Sequence, residues 1–528
     1  MQAKYKRTFL AKQTSTIQRS NCIHEESISP ERRINMGFKD LREWLDTLET
    51  EGELKRVKAQ VDWNKELGAV TSIARQKGFS GLLFENIKDY RNTWCQKLFT
   101  GSLVNSRQNA LMFGLPKDTP HKELIKVFRE RYKKLTKPVT VTSGPVKQNI
   151  LKGKNINLYD LPVPFWNELD GGRYIDTLGA VVTRDPETGI QNVGIYRGMI
   201  VGKDKIAKVI LPRQHIGQHF TKYQEMGKNM PIAVVYGWDP VLPFIGCAPV
   251  PKDICEYDVM GSIRQQPVRL IKCETSDLEV PATAEIVIEG FVSTNPETYE
   301  WEGPFGEYTG YYGWQRKKRP VLAVQCITHR DDPIFIGALA SALPGQPGEG
   351  AAMMSIHWAA MVWEVIEKSG IPGLLDVRML PPSCETSVVL KIHKTYRGQG
   401  KHIAAALIGS SMPLQSCKNI IIVDDDIDIY NSEAISWAID YRVNPSEGSI
   451  IILPNMPCID SDPSIRPDTK DPDLYGGSCI SRMIIDATKI WGFGRRKEWN
   501  NDFYPPVNKI SNEQRALVEK KWKKYGLE

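Results

Sequence analysis

Apolar positions recur at helical spacing where the first organised stretch begins, in FKDLREWLDTLETEGELKRV (residues 38–57). Spacing of three and four residues is typical of one buried face of an α-helix. Four residues share that spacing here: Leu41, Trp44, Leu45 and Leu48. Gly52 is placed to end the helix, because glycine readily adopts the left-handed conformation found at helix ends. The pattern therefore predicts a helix, a turn and a short strand near Leu54, as at the start of an α/β domain.

The pattern changes in the middle of the chain. Residues 120–137 predict an amphipathic helix, and Pro138 follows it. From 139 to 335, short β-branched runs such as TLGAVVTRD, PIAVVYG and AEIVIEGFVS are separated by Gly, Pro, Asn and Asp. Many short strands at this spacing favour a sandwich or a barrel.

The last third of the chain alternates between strand and helix patterns. Residues 344–350 predict a loop and residues 351–368 a helix. NIIIVDDDIDIY (419–430) predicts a buried strand that runs into acidic residues, and Ser432 is predicted to cap the next helix. This alternation indicates a second α/β unit with parallel strand pairing.

Size and composition indicate a soluble protein of two or three domains. The chain has 528 residues, of which 41% are hydrophobic and 25% charged, as in ordinary globular proteins. It has no uninterrupted apolar run of the roughly 18–20 residues that a membrane span needs. Its ten cysteines form no CxxC pair, so neither a zinc knuckle nor a disulfide framework is indicated. We expect buried, inert thiols in a reducing compartment, the cytoplasm.

The net charge of +7 is concentrated near the start of the chain. Residues 1–35 hold seven Lys or Arg and three Asp or Glu, a balance of +4 that leaves about +3 for the rest. This distribution does not indicate nucleic-acid binding. The first 24 residues contain no acid, which resembles an organellar transit peptide. The competing interpretation is a start assigned too early, with Met36 as the true start, and the organised pattern right after Met36 favours it.

Three separate segments carry residues that could bind a metal. NVGIYRGM (192–199) contains Asn192 and Arg197, LPRQHIGQHF contains His215 and His219, and CAPVPKDICEYD contains Glu256. There is no HExxH glutamate, so one histidine ligand is expected, with a second histidine that is either hydrogen-bonded or exposed. Asn192, His215 and Glu256 together would suit Mn²⁺ or Mg²⁺. The spacing alone does not show that they converge.

A glycine-rich segment, EGPFGEYTGYY (302–312), places Glu302 and Glu307 five positions apart. Either the segment is a surface turn, or the two acids act on one substrate. Weaker candidates are the acids of VDDDIDI (423–429), which alternate sides and favour a structural role. The loop 345–350 and Lys401 in YRGQGKH are weak candidates for phosphate binding.

Seven segments in order give the chain a resemblance to the UbiD family of decarboxylases. They are DLREWLDTLETEGELKRV, QNVGIYRGM, RQH, APVPKDICEYD, KCETSDLEVPATAEIVIEG, EGPFGEYTGYY and VDDDIDIYN. The resemblance implies an α/β (α+β) fold with a β-rich split-barrel flavin-binding domain between α/β regions. It implies four parts: an extension (1–35), an N-terminal α/β region (36–138), a prenylated-FMN-binding domain (139–340), and a linker helix with a C-terminal oligomerisation domain (341–528).

The resemblance also implies a cofactor site. Family members use prenylated FMN, bound through Mn²⁺ or Mg²⁺ with K⁺ nearby, and a separate flavin prenyltransferase supplies the cofactor. The metal ligands carry over to Asn192, His215 and Glu256. The other implied cofactor contacts are Ile195, Tyr196, Arg197, Gln214, Pro249 and Lys401, of which Lys401 would touch the phosphate.

The implied reaction is reversible, non-oxidative decarboxylation of an aromatic, heteroaromatic or α,β-unsaturated acid. Arg197 would orient the carboxylate, Glu302 would pair with Arg197, and Glu307 would be the acid/base; some relatives have Asp at this last position. Tyr308 and Leu211 are candidates for the substrate wall. A homodimer or homohexamer is expected, with no nucleic acid as partner. Two alternatives remain open: carboxylation of an unactivated arene with CO₂, and a non-catalytic subunit of a larger carboxylase.

Overall fold

The structure is a computed structural model of the chain. It describes residues 37–313, 316–383, 386–410, 417–458, 462–466 and 478–527. The predicted extension, residues 1–35, and Met36 lie outside the described residues. Among the helices that are described, none is both long enough and apolar enough to cross a membrane.

Helices and strands alternate along most of the chain. The helices are α1 (Leu41–Thr50), α2 (Glu66–Gln76), α3 (Ser106–Met112), α4 (His121–Tyr132), α5 (His215–Glu225), α6 (Val241–Gly246), α7 (Glu256–Arg264), α8 (Ala351–Lys368), α9 (Gln399–Ile408), α10 (Ser432–Arg442) and α11 (Asn512–Lys520). The strands are β1 (Leu54–Val57), β2 (Gly81–Phe84), β3 (Lys97–Thr100), β4 (Val139–Thr140), β5 (Asn149–Lys152), β6 (Ala180–Arg184), β7 (Gln191–Ile195), β8 (Gly198–Gly202), β9 (Lys205–Lys208), β10 (Met230–Tyr236), β11 (Arg269–Lys272), β12 (Glu279–Pro281), β13 (Ile286–Val292), β14 (Glu300–Glu302), β15 (Phe305–Gly306), β16 (Tyr312–Gly313), β17 (Lys317–Arg319), β18 (Val321–His329), β19 (Ile334–Ile336), β20 (Leu374–Met379), β21 (Ser387–Ile392), β22 (Asn419–Asp424), β23 (Ile450–Pro457) and β24 (Cys479–Ala487).

The N-terminal region packs helices on a four-stranded sheet in the order β1-β2-β3-β19. Helix α1 begins after Asp40, whose side chain accepts from the backbone N–H groups of Arg42 and Glu43. Its apolar face is buried as predicted. Helix α4 ends at Tyr132, five residues before the predicted end. Strand β19 follows the strands of the central sheet in sequence, yet it pairs in parallel with β3.

The central region is a strongly curved antiparallel sheet in the order β7-β6-β10-β13-β18-β9-β8, and β5 also pairs with β18. Strands β7 and β8 lie at opposite ends of this order, but only Tyr196 and Arg197 separate them in sequence. Two residues span at most about 7 Å, so the sheet must curl until its ends meet. This confirms the barrel-like β-rich centre. We call the two-residue link Tyr196–Arg197 the seam.

The C-terminal region has a five-stranded sheet in the order β20-β21-β22-β24-β23. Strands β21, β22 and β24 are parallel, as expected, whereas β20 and β23 are antiparallel edges. Helix α10 is capped by Asn431, which accepts from the N–H groups of Glu433 and Ala434. The expectation that Ser432 caps this helix is therefore wrong by one residue.

Two of the three adjacent acids at the end of β22, Asp424 and Asp426, are held by cations. Arg442 donates to Asp424 at 3.3 Å and to Asp426 at 2.8 Å. Lys489 lies 3.0 Å from Asp426. These pairs support the structural role that the sequence favoured for this segment.

Candidate active site

The two residues of the seam, Tyr196 and Arg197, point their side chains in different directions at the end of β7. The hydroxyl of Tyr196 donates to Oδ1 of Asn192 at 2.9 Å, whereas Arg197 extends toward Glu302 and Glu307. Gly198 follows the seam because a Cβ at this position would lie 2.2 Å from Oδ2 of Asp176. The glycine after Arg197 is therefore required by packing against that carboxylate.

Arg197 is held between two buried carboxylates. Its Nε donates to Oε1 of Glu302 at 3.0 Å, and its Nη1 donates to Oε1 of Glu307. The side chains are 12%, 1% and 11% exposed for Arg197, Glu302 and Glu307. The guanidinium also lies 5.1 Å from the ring centroid of Phe305. Arg197 therefore faces both acids, and Arg319 is a second buried cation near Glu302, with its Nε 3.8 Å from Oε2.

In the glycine-rich segment 302–312, residues 302–307 form a largely buried support that carries both acids, whereas the turn that follows is exposed at residues 310–312. Glu302 ends β14, Gly303 has a φ of +97°, and the Gly303–Pro304 bond is cis. The N–H of Gly306 donates to Oδ1 of Asp170 at 2.8 Å. A Cβ on Gly306 would lie 2.6 Å from Nδ2 of Asn167. Small residues here let the backbone pass close to Asn167 and Asp170, and the two glutamates reach the same guanidinium.

The two acids differ in how they are supported. The hydroxyl of Tyr174 donates to Oε1 of Glu302 at 2.8 Å, so Glu302 receives hydrogen bonds from both Arg197 and a tyrosine. Burial raises the pKa of Glu307, and the charges of Glu302 and Asp170 raise it further, while Arg197 opposes the shift. Glu307 is therefore the acid that holds a proton more readily than an exposed glutamate.

The predicted metal ligands converge. Nδ2 of Asn192 lies 2.7 Å from Oε1 of Glu256 and 3.3 Å from Nδ1 of His215. His215 and Glu256 lie 3.9 Å apart and are the first residues of α5 and α7. The other carboxylate oxygen of Glu256 accepts from the N–H of Val193 at 2.7 Å. Three elements distant in sequence thus bring their polar ends to one point.

This donor set fits a hard divalent cation. It offers one carboxylate oxygen, one imidazole nitrogen and one amide oxygen, after a rotation of the Asn192 amide that exchanges its oxygen and nitrogen. Among the described residues no group of three or more His, Cys, Asp or Glu could hold a metal. The set proposed here is not such a group, because its third ligand is the amide of Asn192. His219, the other histidine of α5, bonds to Thr183 Oγ1 at 2.9 Å instead, as expected of a structural histidine.

Two cavities meet at the seam. One, of about 350 Å³, is lined by Arg197 and Glu307. The other, of about 630 Å³, is lined by Asn192, His215 and Glu256. Five residues line both cavities: Ile195, Tyr196, Arg213, Gln214 and Cys247. The acid pair and the candidate metal ligands therefore face adjoining spaces, large enough together for an extended ligand.

Family models match the chain over most of its length. The three matches are the 3-octaprenyl-4-hydroxybenzoate carboxy-lyase N-terminal domain (residues 45–128), Rift-related domain (137–343) and C-terminal domain (351–487). The chain belongs to the UbiD family. It is therefore an enzyme of the carboxy-lyase class, with the mixed helix and sheet fold of that family.

Individual relatives resemble more than nine tenths of the chain. It is 32% identical to a phenolic acid decarboxylase of Bacillus subtilis over 490 residues, which covers 91% of this chain and 99% of the relative. Among solved structures, the UbiD-class enzyme HmfF from Pelotomaculum thermopropionicum in complex with FMN matches with a TM-score of 0.77 and 30% identity, over 92% of this chain and 100% of that one. The vanillic acid decarboxylase of Sedimentibacter hydroxybenzoicus in closed form matches with a TM-score of 0.79 and 29% identity, over 92% and 99%.

The remaining candidate residues fall in different places in this UbiD structure. Pro249 lines the larger cavity, and Leu211 and Tyr308 line the smaller one. Lys401 lies on α9 and lines neither cavity; its Nζ is 3.4 Å from where a Cβ on Gly448 would be. Lys368, at the end of α8, lines the larger cavity instead.

Sequence reasoning missed Tyr174 and Asp170, which support the two acids. Tyr174 is 128 residues from Glu302, and Asp170 is 136 residues from Gly306. Neither belongs to a segment with a recognisable chemical pattern. The only local signal was the pair of small residues Gly171 and Gly172, which allow close backbone approach to the hairpin: a Cβ on Gly171 would lie 2.0 Å from the carbonyl oxygen of Gly303.

Tyr174→Phe is expected to lower kcat about tenfold with little change in KM. Loss of the hydroxyl removes one hydrogen bond to a buried, charged carboxylate, a change of about 1.5–3 kcal/mol, and frees Glu302 to shift against Arg197. Steady-state kinetics of the loaded enzyme measures the effect. Tyr159→Phe, in an exposed tyrosine, is the matched control. An unchanged kcat in Tyr174→Phe would show that Tyr174 does not support Glu302 in catalysis.

Proposed function

We propose that the chain is a prenylated-FMN-dependent enzyme that reversibly decarboxylates an aromatic, heteroaromatic or α,β-unsaturated acid. The observation that carries the proposal is Arg197, which lies between Glu302 and Glu307 on the wall of a cavity that adjoins the Asn192, His215 and Glu256 cluster. The relatives support it: one is a phenolic acid decarboxylase, and HmfF has been seen with FMN and, in an evolved dimeric form, with prFMN.

The proposed cofactor would extend through both cavities. Asn192, His215 and Glu256 would hold Mn²⁺ or Mg²⁺ beside its phosphate, with K⁺ nearby. Ile195, Tyr196, Gln214 and Pro249 line its path, and Lys401 stays a proposed phosphate contact that requires a different position of α9. When bound, prenylated FMN supplies an electron-accepting ring for the charge left by a departing carboxylate.

The chain's own residues would hold the acid and manage one proton. Arg197 binds the substrate carboxylate and places its carboxyl carbon away from water, which lowers the barrier to loss of CO₂. Glu302 keeps the guanidinium in place through its paired hydrogen bonds. Glu307 then donates a proton to the carbon that lost CO₂ and takes another from solvent, so the acid and one proton become the product and CO₂. In carboxylation Glu307 would accept that proton.

The smaller cavity gives a first indication of the substrate. Its wall includes apolar side chains of Val209, Leu211, Phe305 and Met353 around the charged Arg197 and Glu307. An acid with one carboxylate on a flat, apolar body fits such a lining. The proposal also includes a flavin prenyltransferase as cofactor supplier, a homodimer or homohexamer, and a reducing, cytoplasmic setting. Of the eight described cysteines, none of which forms a disulfide, five are buried as expected, but Cys479 is exposed.

The direct test is CO₂ exchange. The chain would be produced together with a flavin prenyltransferase and incubated with a panel of aromatic and unsaturated acids in ¹³C-bicarbonate. Label in the recovered acid, and its loss when the prenyltransferase is omitted, is expected for at least one acid. A purified, cofactor-loaded protein that exchanges no member of a broad panel would contradict the proposal.

Glu256→Gln is expected to weaken Mn²⁺ binding at least tenfold. The substitution removes the only charged ligand of the proposed set, and ligand loss of this kind weakens metal sites strongly. Titration followed by Mn²⁺ electron paramagnetic resonance measures the affinity without any turnover. Asp425→Asn tests the acidic segment after β22 and should bind Mn²⁺ like the parent chain. If Asp425→Asn bound Mn²⁺ more weakly than Glu256→Gln, the metal site would instead be in the acidic segment at the end of β22.

A further inference from the structure

Lys208 is a fully buried ammonium group at the end of β9. Its side chain is 0% exposed, as is that of Asp176, whose Oδ2 accepts from Nζ at 2.6 Å. The hydroxyl of Tyr236 donates to the other oxygen of Asp176. Burial of an isolated ammonium is costly, and a buried pair adds little stability over an apolar pair of the same size. Stability alone therefore explains this pair poorly.

The second partner of Lys208 is in the seam. Nζ donates to the carbonyl oxygen of Tyr196 at 2.6 Å. The ladder of β7 ends with Ile195, and that of β8 begins with Gly198. The Tyr196 carbonyl thus lies between the two ladders, and the lysine takes the place that a neighbouring strand would otherwise fill.

The direction of this carbonyl fixes the peptide plane between Tyr196 and Arg197. That plane decides where both side chains point: Tyr196 toward Asn192, and Arg197 toward the two acids. The following carbonyls are also held, since Val209 donates to that of Arg197 at 3.3 Å and Ile175 to that of Gly198 at 3.0 Å. Of these three consecutive carbonyls, that of Tyr196 accepts from the charged side chain of Lys208, whereas the other two accept from backbone N–H groups.

We propose that Lys208, held by Asp176, which itself accepts from Tyr236, is a positioning residue that orients the Tyr196–Arg197 peptide and so aims Arg197 at Glu302 and Glu307. The expected effect on catalysis rests on the proposed function. The orientation of the Tyr196–Arg197 peptide by Lys208 does not, and it can be tested on the protein without cofactor.

The test uses Lys208→Met/Asp176→Asn, which removes both buried charges together and so avoids an unpaired carboxylate. Arg264→Met/Asp239→Asn is the control for loss of a buried pair, here joined at 2.7 Å. Asp176 lines the smaller cavity, whereas Arg264 and Asp239 line neither cavity, so the crystal structure decides whether Arg197 has moved. Urea denaturation first establishes that each double variant is folded.

Three readouts separate positioning from a purely structural role. In a crystal structure of the cofactor-free Lys208→Met/Asp176→Asn variant, the Tyr196 carbonyl should have turned and Nε of Arg197 should have left Glu302. FMN, followed by fluorescence quenching, should bind about tenfold more weakly, because Tyr196 lines both cavities. In the loaded enzyme kcat should fall about 100-fold and KM should rise, because Arg197 binds the substrate carboxylate, while the control stays within twofold of the parent in both.

The pH profile adds a signature of misplaced Arg197. Glu307 faces Arg197, Glu302 and Asp170, and it loses the guanidinium that pairs with it when Arg197 moves away. The alkaline limb of kcat should then shift upward by at least half a pH unit.

A folded Lys208→Met/Asp176→Asn variant with unchanged Arg197 geometry, FMN affinity and pH profile overturns the proposal. If the parent chain exchanges no acid, the proposed function fails, and the crystal structure still decides the role of Lys208.

Discussion

Glu307→Gln is expected to reduce kcat for CO₂ exchange about 1000-fold while leaving the fold and the flavin affinity intact. Glutamine keeps the size and can still accept from Arg197, but it cannot donate a proton to carbon, and a positioned general acid contributes about 10²–10⁴-fold. The loss should appear in kcat rather than KM, because Arg197 still binds the substrate carboxylate. Exchange of ¹³C-bicarbonate into the acid measures it in both directions.

The matched control is Glu300→Gln on the same hairpin, in a side chain that is 44% exposed. It should exchange CO₂ like the parent. Full activity in Glu307→Gln would exclude Glu307 as the proton donor, and equal losses in both variants would point to damage of the hairpin.

The same substitution gives an expected result on stability. Since burial and neighbouring acids raise the folded-state pKa of Glu307 above its ordinary value of 4.5, the protonated form is favoured by folding. The contribution is fully present below pH 4.5 and is lost as pH rises through the raised folded pKa. Over that window the free energy of unfolding of the parent should fall relative to Glu307→Gln, as urea denaturation at several pH values would show.

Arg197→Ala is expected to abolish exchange and also to destabilise the apo-protein by about 3–5 kcal/mol, since it leaves a buried carboxylate without its cation. Glu302, 1% exposed, would keep Tyr174 as a donor but lose two hydrogen bonds from the guanidinium. Urea denaturation of cofactor-free protein measures the second effect independently of chemistry.

Arg197→Met/Glu302→Gln separates the two effects. Removal of both charges should restore most of the stability without restoring exchange. Arg56→Ala provides the comparison, because Arg56 pairs with Glu49 and Glu85 at the surface, where such pairs contribute about 1 kcal/mol or less. Recovery of activity with stability in the double variant would show that Arg197 acts only through folding.

Local pattern was sufficient for the elements but not for their exact ends. The α1 face could be predicted because four apolar residues at helical spacing leave one way to bury them. Helix α4 ends at Tyr132, before the basic residues that follow it. Asn431 rather than Ser432 caps α10, and the sequence could not decide between them because the side chain of either residue can accept from the first N–H groups of a helix. The pairing of β19 with β3 joins segments 237 positions apart, and no local pattern encodes such a partner.

The candidate site could be predicted only through resemblance. Asn192, His215 and Glu256 converge because β7, α5 and α7 pack around one point, and spacing in sequence does not contain that packing. Tyr174, Asp170 and Lys208 lay outside every motif, since a supporting residue needs only one donor or acceptor at the right place. Lys401 shows the opposite case: its motif was noticed, but α9 places it away from both cavities.

Strand β19 makes the N-terminal and central regions inseparable as folding units. The Rift-related match ends at residue 343 and so includes β19, whose partner β3 belongs to the N-terminal match. A fragment cut out at residues 137 and 343 would carry a buried apolar strand with no sheet to join, and the rest of the chain would be left with a bare β3 edge. Such edges promote aggregation. Working truncations of this enzyme should therefore keep residues 37–343 together, and also Glu349, which accepts from Thr100 and the N–H of Gly101.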